Sequence, residues 1–599
     1  MQSKIEDYAI VGNGQSAAMV NRDGSIDWLC WPRFDSDACF AALVGTEENG
    51  YWKIAPTAGK VETSRKYIDD TLILESCFET PDGTVSITDF MPSNEDEDFP
   101  ELVRIVKGIS GAVAMRMDFV LRFGYGYSVP WVSRLDDATG IRAVVGPDMV
   151  VLRTSVELEN ASMRTTSEFV VNADDEIYFS LRYGHAYEPV PPARDASDLL
   201  AATTKNWNAW SSRSKAHGKY KDAIHRSLIT LKALAYEPTG GIVAAVTTSL
   251  PEKLGGDRNW DYRYCWLRDA TLTLRTLMRG GYFDEAACWR DWLVRAIAGA
   301  PAQLQIMYGI TGERRLQEWE CDWLGGYEQS PPVRIGNAAA GQLQLDVFGE
   351  VMSALYEARA GGLPDDAAAW TVQVVLVDHV AQIWREPDEG IWETRGGRQN
   401  FTFSKVMCWV ALDRAIRSAE EFRFEGPVDE WRAVRAQIHD EVCQRGFNVA
   451  RNAFVQQYDG DALDASLLMM AIVGFLPADD ARIKGTVSAI ERELDSSGFV
   501  MRYKTETMRD GLQIGEGSFL ACSFWLVENM SLQGRHDDAE ALFDKLLAIR
   551  NDVGLFAEEY DTQAKRMVGN FPQAFSHTAL VETAFNLLER RQRAGSSSG

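Results

Sequence analysis

The chain has 599 residues, 46% of them hydrophobic and 25% charged, which is the composition of a folded protein long enough for more than one domain. Its formal charge of −26 argues against nucleic acid or an anionic membrane as a partner and suits a neutral substrate, although acidity also serves solubility alone. The N-terminus does not resemble a signal peptide, no apolar run approaches the roughly 20 residues of a membrane span, and neither the nine cysteines nor the seven histidines have metal-ligand spacing. We therefore expect reduced thiols, a cytoplasmic location, no metal site and no cofactor.

The first 190 or so residues are predicted to form β-strands. In 113–123 apolar and polar residues alternate with a period of two, as in a strand with one buried face. Thr84 to Phe90 forms a second candidate strand after the turn signal Pro81-Asp82-Gly83, and Leu102 to Val106 forms a third. Many short strands joined by Gly, Asn and Asp turns predict an antiparallel β-sandwich.

One N-terminal motif resembles a nucleotide-binding turn. Gly12, Gly14 and Ala17 follow the GxGxxG fingerprint, with alanine in the third position. A turn and a strand at 23–28 follow at once, where a dinucleotide fold needs a helix. We therefore predict β-structure here and no bound dinucleotide.

The rest of the chain is predicted to be helical. Trp289, Trp292, Leu293 and Ala296 recur at i, i+3, i+4 and i+7, and Gly280-Gly281 separates this helix from the one before it. Roughly a dozen such helices predict an all-α domain, which a closed ring of helix pairs would explain. A polar linker is predicted at 192–220 and a disordered tail at 593–599. Further helices are predicted at 343–360, 367–384, 404–422, 430–445, 464–474, 481–494, 516–531, 537–549 and 576–591.

Two glutamates have surroundings that suit acetal cleavage, which needs an acid for the leaving oxygen and a second carboxylate to activate water or attack the sugar. Glu393 and Glu558 each lie in a loop beside aromatic residues and glycine, a position that more often holds a solvated surface carboxylate. The segment 258–269 places charged and aromatic residues just before an apolar helix. Its Arg268-Asp269 pair can chelate two neighbouring sugar hydroxyls, or form a buried structural ion pair.

At these segments the chain resembles glycoside hydrolase family 15, the family of glucoamylases, glucodextranases and trehalases. Residues 5–36 are similar to the trehalase-like N-terminal domain of bacterial members, and 258–270, 390–415 and 569–580 are similar to blocks of the catalytic domain. The resemblance covers nearly the whole chain. It implies an α+β multidomain protein, with an N-terminal antiparallel β-sandwich at 1–191 joined by the 192–220 linker to an all-α (α/α)6 barrel at 221–592.

The resemblance also implies roles for single residues. The family's general acid falls on Glu393 and its general base on Glu558, with the adjacent Glu559 as the alternative. Inversion requires the two carboxyls to lie roughly 6.5–9.5 Å apart, with the pKa of Glu393 raised and Glu558 ionised. Arg268 and Asp269 are expected to hold the 4- and 6-hydroxyls of the terminal glucose. The other expected substrate-binding residues are Tyr262, Trp266, Trp392, Arg502 and Glu516.

The implied activity is that of an inverting, exo-acting α-glucoside hydrolase that releases β-D-glucose from a small α-glucoside, with trehalose preferred and glucoamylase-like or isomaltose and dextran hydrolysis as the alternative. A disaccharide phosphorylase needs no second carboxylate, and a non-catalytic glucan-binding protein would be expected to lose one, so the presence of both glutamates favours hydrolysis. The sequence leaves open the oligomeric state and any activating ion or phosphate. It also leaves open whether an N-terminal loop reaches the active site, namely the loop with Trp31, Arg33, Phe34 and Asp35.

Overall fold

The computed structural model describes residues 2–93, 99–364, 367–506, 508 and 510–596. Its N-terminal part is an antiparallel β-sheet domain. The strands are β1 (Tyr8–Gly12), β2 (Ala17–Asn21), β3 (Ser25–Cys30), β4 (Ala38–Phe40), β5 (Tyr51–Pro56), β6 (Glu62–Tyr67), β7 (Leu74–Thr80), β8 (Gly83–Phe90), β9 (Glu101–Val120), β10 (Trp131–Arg134), β11 (Gly140–Val145), β12 (Asp148–Thr154), β13 (Glu159–Ala161), β14 (Arg164–Asn172) and β15 (Glu176–His185). They pair in the order β1-β2-β3-β5-β9-β15-β12-β11-β10, and the other strands attach beside this path.

The long strand β9 joins two parts of the sheet. Its first half pairs with β8 and β15, and its second half pairs with β5 and β14. Gly111 lies where the partners change, at a φ of 70°, and a Cβ there would lie 2.0 Å from the Asp82 carbonyl oxygen. Only glycine fits at this position. Gly111 therefore lets the strand continue from one set of partners to the other without a loop. The separately predicted strands Leu102 to Val106 and 113–123 are therefore one strand, which ends at Val120 and not at Phe123.

The N-terminal glycine motif is a hairpin turn. Strands β1 and β2 pair antiparallel from Tyr8 opposite Asn21 to Gly12 opposite Ala17. A dinucleotide site needs a helix directly after the glycines, and a strand stands there instead. The prediction of β-structure at this motif is confirmed.

The C-terminal part is a helical domain. Its helices among the described residues are α1 (Ala196–Ser211), α2 (Lys221–Ala233), α3 (Ala270–Gly280), α4 (Phe283–Ile297), α5 (Asp346–Ala360), α6 (Ala367–Ile383), α7 (Thr402–Phe422), α8 (Val428–Arg445), α9 (Met469–Ile472), α10 (Ala481–Glu493), α11 (Leu520–Leu532), α12 (His536–Leu547) and α13 (Ala574–Ser596). Gly281 ends α3 at a φ of 98°, so the predicted break between α3 and α4 is confirmed. Helix α13 extends into the predicted tail, of which 597–599 lie outside the described residues.

Two predicted helices are shorter than their apolar patterns. The segment predicted at 464–474 is a 3-10 turn, Ala465–Leu468, followed by the single turn of α9. The helix predicted at 516–531 begins only at Leu520, because Ser518–Phe519 pairs as a short strand with Glu559–Asp561. Both differences arise from contacts distant in sequence, which periodicity does not contain.

The helices that carry the site pack in sequence around a common interior. Helix α3 packs against α5, α5 against α7, and α7 against the turn before α9, which packs against α11. Helix α11 packs against α13, and α13 returns to α3. The loops at the ends of these helices therefore face one another across a short distance, which brings residues from 252 to 570 together.

The structure also describes the state of the cysteines and the character of the helices. All nine cysteines are free, and six of them are buried, namely Cys30, Cys39, Cys265, Cys321, Cys408 and Cys522. None of the helices within the described ranges combines the length and the apolar character that a bilayer crossing demands.

Candidate active site

A cavity of about 540 Å³, part of it open to solvent, lies in the helical domain. Five residues singled out by sequence line it directly: Tyr262, Arg268, Trp392, Glu393 and Arg502. The other four contact these lining residues from behind: Trp266, Asp269, Glu516 and Glu558. All nine predicted residues are thus gathered around one cavity.

Glu393 lies in the loop before α7 and is held by groups on three sides. Trp266 Nε1 donates to its Oε1 at 2.7 Å, Arg268 Nη1 donates to the same oxygen at 3.3 Å, and Gln342 Nε2 donates to its carbonyl oxygen at 3.1 Å. Its φ of 57° is left-handed, a conformation that costs a residue other than glycine about 1 kcal/mol or more. Burial raises the pKa of the Glu393 carboxyl, and the Arg268 charge and the Trp266 hydrogen bond oppose this.

Glu558 is 1% exposed and receives two hydrogen bonds. Tyr262 Oη donates to its Oε1 at 2.5 Å, and the backbone N–H of Asn570 donates to its Oε2 at 3.4 Å. Burial raises the pKa of Glu558, the Glu252 carboxylate adds to the rise, and Arg502 and Tyr262 lower it. This differs from the expectation of an ionised Glu558 beside a protonated Glu393, because sequence could not show how many carboxyls share this volume.

Glu559 has a different environment from its neighbour. It is fully buried, and within the described ranges neither of its oxygens has a donor with hydrogen-bond geometry, although Arg502 Nη2 lies 3.3 Å from Oε1. Burial raises its pKa well above the usual value for glutamate. A proton shared by this pair is therefore more stable on Glu559, which leaves Glu558 as the carboxyl whose ionised form is hydrogen-bonded.

Tyr262 and Trp266 connect the two candidate catalytic glutamates. Their rings meet edge to face with centroids 5.1 Å apart, the tyrosine hydroxyl donates to Glu558, and the indole N–H donates to Glu393. Donors on one short segment therefore hold two carboxyls that are 165 residues apart in sequence. Glu393 therefore lies on the cavity wall, and Glu558 lies directly behind the lining residue Tyr262.

Arg502 is the centre of a buried cluster of carboxyl groups. Its Nη2 lies 2.6 Å from Glu252 Oε2, 2.7 Å from Glu516 Oε2 and 3.3 Å from Glu559 Oε1. These three glutamates have ligand atoms within 4.8 Å of one another, a spacing that could hold a metal ion. The Arg502 guanidinium group already lies among them and forms ion pairs with them.

The remaining predicted residues are anchored by specific partners. Arg268 Nε donates to Asp269 Oδ1 at 3.1 Å, so the two side chains are bonded to each other. Trp392 Nε1 donates to both oxygens of Asp464 at 2.9 and 3.0 Å, which fixes the ring on the cavity wall. Glu516 accepts from Arg502 Nε at 2.9 Å and lies behind that arginine, not on the wall.

Sequence reasoning missed a second group of buried acids beside Glu393. Asp346, at the start of α5, is 1% exposed, and neither of its oxygens meets a hydrogen-bond donor in the part of the chain described. Burial and the neighbouring Asp388 together raise the pKa of Asp346 to about 7, and Arg268 opposes this rise. Its apolar helical pattern was visible in the sequence, but nothing there indicated a carboxyl inside the domain.

The cavity wall also contains residues that had no predicted role, namely Glu252, Arg258, Trp260, Asn337, Ala339, Arg395, Tyr503, Leu512 and Phe519. Arg258 and Trp260 lie in the 258–269 segment, which could have pointed to them, whereas Glu252 has no motif around it.

The N-terminal loop with Trp31, Arg33, Phe34 and Asp35 lies away from the cavity wall. Arg33 binds Asp35 and Glu313 at 2.8 and 2.9 Å, and the described residues of the cavity wall include none of the four loop residues in question.

Comparison with known proteins gives two family matches. The model described as glycosyl hydrolases family 15 matches residues 218–585, and the model described as trehalase-like, N-terminal matches residues 1–207. The chain is 35% identical to a protein named trehalase from Mycobacterium tuberculosis, over 99% of this chain and 91% of that protein. It is 36% identical to a protein named trehalase from Mycolicibacterium smegmatis, over 99% of this chain and 92% of that protein.

Among solved structures, a bacterial glucoamylase complexed with acarbose has a similar fold. Its TM-score is 0.73, with 13% sequence identity, and the match covers 98% of this chain and 94% of that one. At this identity the likeness is one of fold. It extends over the β-sheet domain as well as the helical domain, because almost the whole chain is covered.

The packing of Gly569 against Glu558 gives a first prediction. A Cβ at Gly569 would lie 2.7 Å from Glu558 Oε2 and 2.8 Å from its Cβ, at a φ of 76°. We expect Gly569→Ala to displace the carboxyl and lower kcat for α-glucoside hydrolysis by about 100-fold, since a misplacement of about 1 Å has that effect. The control is Gly474→Ala, where φ is 81° but nothing lies within 4 Å of the added Cβ. Both variants should lose about 1 kcal/mol of stability, and an equal loss of kcat in both would contradict the placement of Glu558.

The isolated carboxyl of Asp346 gives a prediction about stability and pH. Its folded-state pKa of about 7 lies above the unfolded value of about 3.9, so the folded chain retains a proton that the unfolded chain releases. Stability therefore falls as pH rises from about 4 to about 7. We expect Asp346→Asn, which needs no proton, to increase the unfolding free energy by about 3 kcal/mol at pH 8, with a smaller gain at pH 5.

Calorimetric melting of both proteins at the two pH values measures this difference. The matched control is Asp464→Asn, since Asp464 is 2% exposed but accepts hydrogen bonds from Trp392, Gln456 and the Ser466 N–H. That substitution should destabilise the protein at both pH values. A lower melting temperature for Asp346→Asn at pH 8 would rule out an uncompensated carboxyl at this site.

Proposed function

The chain belongs to glycosyl hydrolases family 15 and is a glycoside hydrolase, and we propose that it cleaves trehalose, with inversion, between Glu393 as general acid and Glu558 as general base. Trehalose is favoured because relatives that match over nearly the full length of both chains bear the name trehalase. The trehalase-like match over residues 1–207 points in the same direction. Glucoamylase-like or isomaltose and dextran hydrolysis is the second candidate, since such enzymes share this fold and the family.

The observation that carries the mechanism is the linkage of both glutamates to one segment. Trp266 donates to Glu393 and Tyr262 donates to Glu558, and the two rings are in contact. Between carboxyls placed in this way, Glu393 gives its proton to the glycosidic oxygen as the bond breaks. Glu558 takes a proton from the water that attacks the anomeric carbon from the opposite face, so the configuration at that carbon inverts.

The protonation states follow from the surroundings of each carboxyl. Burial holds the proton on Glu393 in spite of the nearby Arg268. In this proposal the proton that the crowded carboxyls share is on Glu559, which has no donor among the described residues, and the negative charge is on Glu558, which accepts from Tyr262 and from the Asn570 N–H. The Arg268 and Asp269 pair is placed to exchange its internal hydrogen bond for the hydroxyls of the terminal glucose.

The proposed architecture is an N-terminal β-sandwich at 1–191, a linker at 192–220 that contains α1, and an (α/α)6 barrel at 221–592. The barrel is supported by the closed order of packing from α3 through α5, α7, α9, α11 and α13 back to α3. The sandwich is supported by the two sets of partners of β9. In such a barrel the loops at one end of the helices form the cavity, which accounts for the long sequence separations at the site.

Substitution of the carboxyls tests the assigned roles. We expect Glu393→Gln and Glu558→Gln each to lower kcat on trehalose by about 1000-fold, since general acid and base groups contribute about 100- to 10,000-fold. Glu559→Gln replaces a neutral acid with a neutral amide of the same shape and should retain kcat within about tenfold. Steady-state kinetics and thermal melts of the three variants make this comparison. If Glu559→Gln were as inactive as Glu558→Gln, the assignment between the two neighbours would be wrong.

Product analysis tests the substrate and the stereochemistry. Both halves of trehalose have the α configuration, so inversion at one anomeric carbon releases one β-glucose and leaves one α-glucose. We expect proton NMR to show equal amounts of the two anomers before mutarotation, and kcat/KM for trehalose to exceed those for maltose, isomaltose and maltotetraose by about tenfold or more. Two α-glucose molecules would contradict inversion, and glucose 1-phosphate formed in phosphate buffer would indicate a phosphorylase.

A further inference from the structure

The segment from Trp260 to Trp266 sends alternate side chains to opposite sides. Tyr262 faces the catalytic cavity and, with Tyr264 and Trp266, belongs to a small apolar cluster beside it. Asp261 and Arg263 are fully buried on the other side, where they pair with each other at 2.6 Å. This alternation is that of an extended chain, in which residues i and i+2 share a side.

Arg263 connects this segment to the antiparallel β-sheet domain. Its Nη1 donates to the Ser36 carbonyl oxygen at 2.8 Å and to Cys30 Sγ at 3.4 Å, and its Nη2 donates to Tyr125 Oη at 3.0 Å. Its guanidinium carbon also lies 5.3 Å from the centroid of the Tyr125 ring. All three partners come from the first 125 residues of the chain. The Arg263 guanidinium group therefore donates two of its hydrogen bonds to Asp261 and the other three to the β-sheet domain.

Asp261 extends the same connection to the rim of the cavity. Its Oδ2 accepts from the backbone N–H of Gly336 at 3.1 Å, next to the lining residue Asn337. Its Oδ1 accepts from Arg263 Nε at 2.9 Å and from the Arg263 backbone N–H at 3.2 Å. The backbone on both sides of Tyr262 is thereby fixed by an ion pair that is itself clamped by the β-sheet domain.

We infer that Arg263 is a positioning residue, through which the β-sheet domain fixes Tyr262 and so the hydrogen bond that Tyr262 donates to Glu558. The N-terminal domain then contributes to catalysis without reaching the cavity, through Tyr125 and through Cys30 and Ser36, the residues at the two ends of the loop that contains Arg33. This inference rests on the proposed role of Glu558 as general base. It predicts that changes at Arg263 or Tyr125 alter the ionisation of Glu558, an effect that a purely structural ion pair would not have.

The β-sheet domain contains a closely matched arginine that lacks this connection. Arg104 is fully buried, its Nε donates to Asp89 Oδ1 at 2.7 Å, and it donates to the carbonyl oxygens of Trp52 and Gly24 at 2.9 and 2.8 Å. It also lies over the Trp52 ring at 5.1 Å, as Arg263 lies over Tyr125. The partners of Arg104 all belong to the sheet, so Arg104→Lys reproduces the loss of a buried bidentate pair without touching the 260–266 segment.

The experiment compares the pH dependence of kcat/KM on trehalose for wild type, Arg263→Lys, Arg104→Lys and Tyr125→Phe, with thermal melts of each. Loss of the Tyr262 hydrogen bond disfavours ionised Glu558, so the acidic limb of the profile should move up by about one pH unit in Arg263→Lys. We expect kcat to fall by about tenfold or more at neutral pH, and a smaller shift of the same sign in Tyr125→Phe. Arg104→Lys should melt earlier, as Arg263→Lys does, and keep the wild-type profile.

Two further variants make the outcome decisive. Tyr262→Phe should show the displaced limb by itself, and adding Arg263→Lys to it should not displace the limb further, because both substitutions remove the same hydrogen bond. If Arg263→Lys does not fold, Tyr125→Phe decides, since it removes only one hydroxyl. Wild-type profiles for both Arg263→Lys and Tyr125→Phe would overturn the inference while Glu558→Gln remains inactive. An active Glu558→Gln would instead overturn the proposed function.

Discussion

Buried negative charge beside the cavity has to be balanced within a few ångströms, and two arginines do this. Arg502 lies within 3.3 Å of Glu252, Glu516 and Glu559, and Arg258 pairs with Asp510 at 2.5 Å. At 4 Å a unit pair interacts by about 4 kcal/mol where the effective dielectric constant is about 20, and removing one member of a buried pair costs about 3–5 kcal/mol. With Glu558 included, five carboxyls share two guanidinium groups, so the cluster must retain protons. That requirement sets the protonation of the carboxyl groups around Arg502.

The two candidate catalytic glutamates have different neighbours. Glu393 lies on the Arg268 side, in a loop whose left-handed φ shows that neighbouring contacts, and not local preference, set its conformation. Glu558 lies on the Tyr262 side, packed against Gly569 so closely that an added Cβ would lie 2.7 Å from its Oε2 and displace the carboxyl. A strained loop and a closely packed carboxyl are both rigid, and the proposed reaction requires such rigidity because its rate depends on the distance between the two carboxyls.

The sequence predicted the local parts of this molecule better than the tertiary ones. The alternation at 113–123, the hairpin at Gly12 and the helix break at Gly281 are properties of neighbouring residues, and the structure contains them. That β9 is one strand depends on Asp82 approaching Gly111 from the turn between β7 and β8, a contact that no local pattern contains. All nine predicted site residues gather at one cavity because long family motifs carry them, and their catalytic and binding roles remain predictions. Glu252 and Asp346 lie outside those motifs, and only the folded structure shows that they lie beside other buried charged groups.

The neighbouring Glu558 and Glu559 show how folding separates residues that sequence cannot distinguish. Glu559–Asp561 is a short strand paired with Ser518–Phe519, and successive residues of an extended chain point to opposite sides. Glu558 therefore points to the Tyr262 hydroxyl while Glu559 points to Arg502. One carboxyl gains two donors and the other gains none among the described residues. Two identical side chains one residue apart thus differ in the charge that their surroundings favour, and only the one with donors is suited to accept a proton from water.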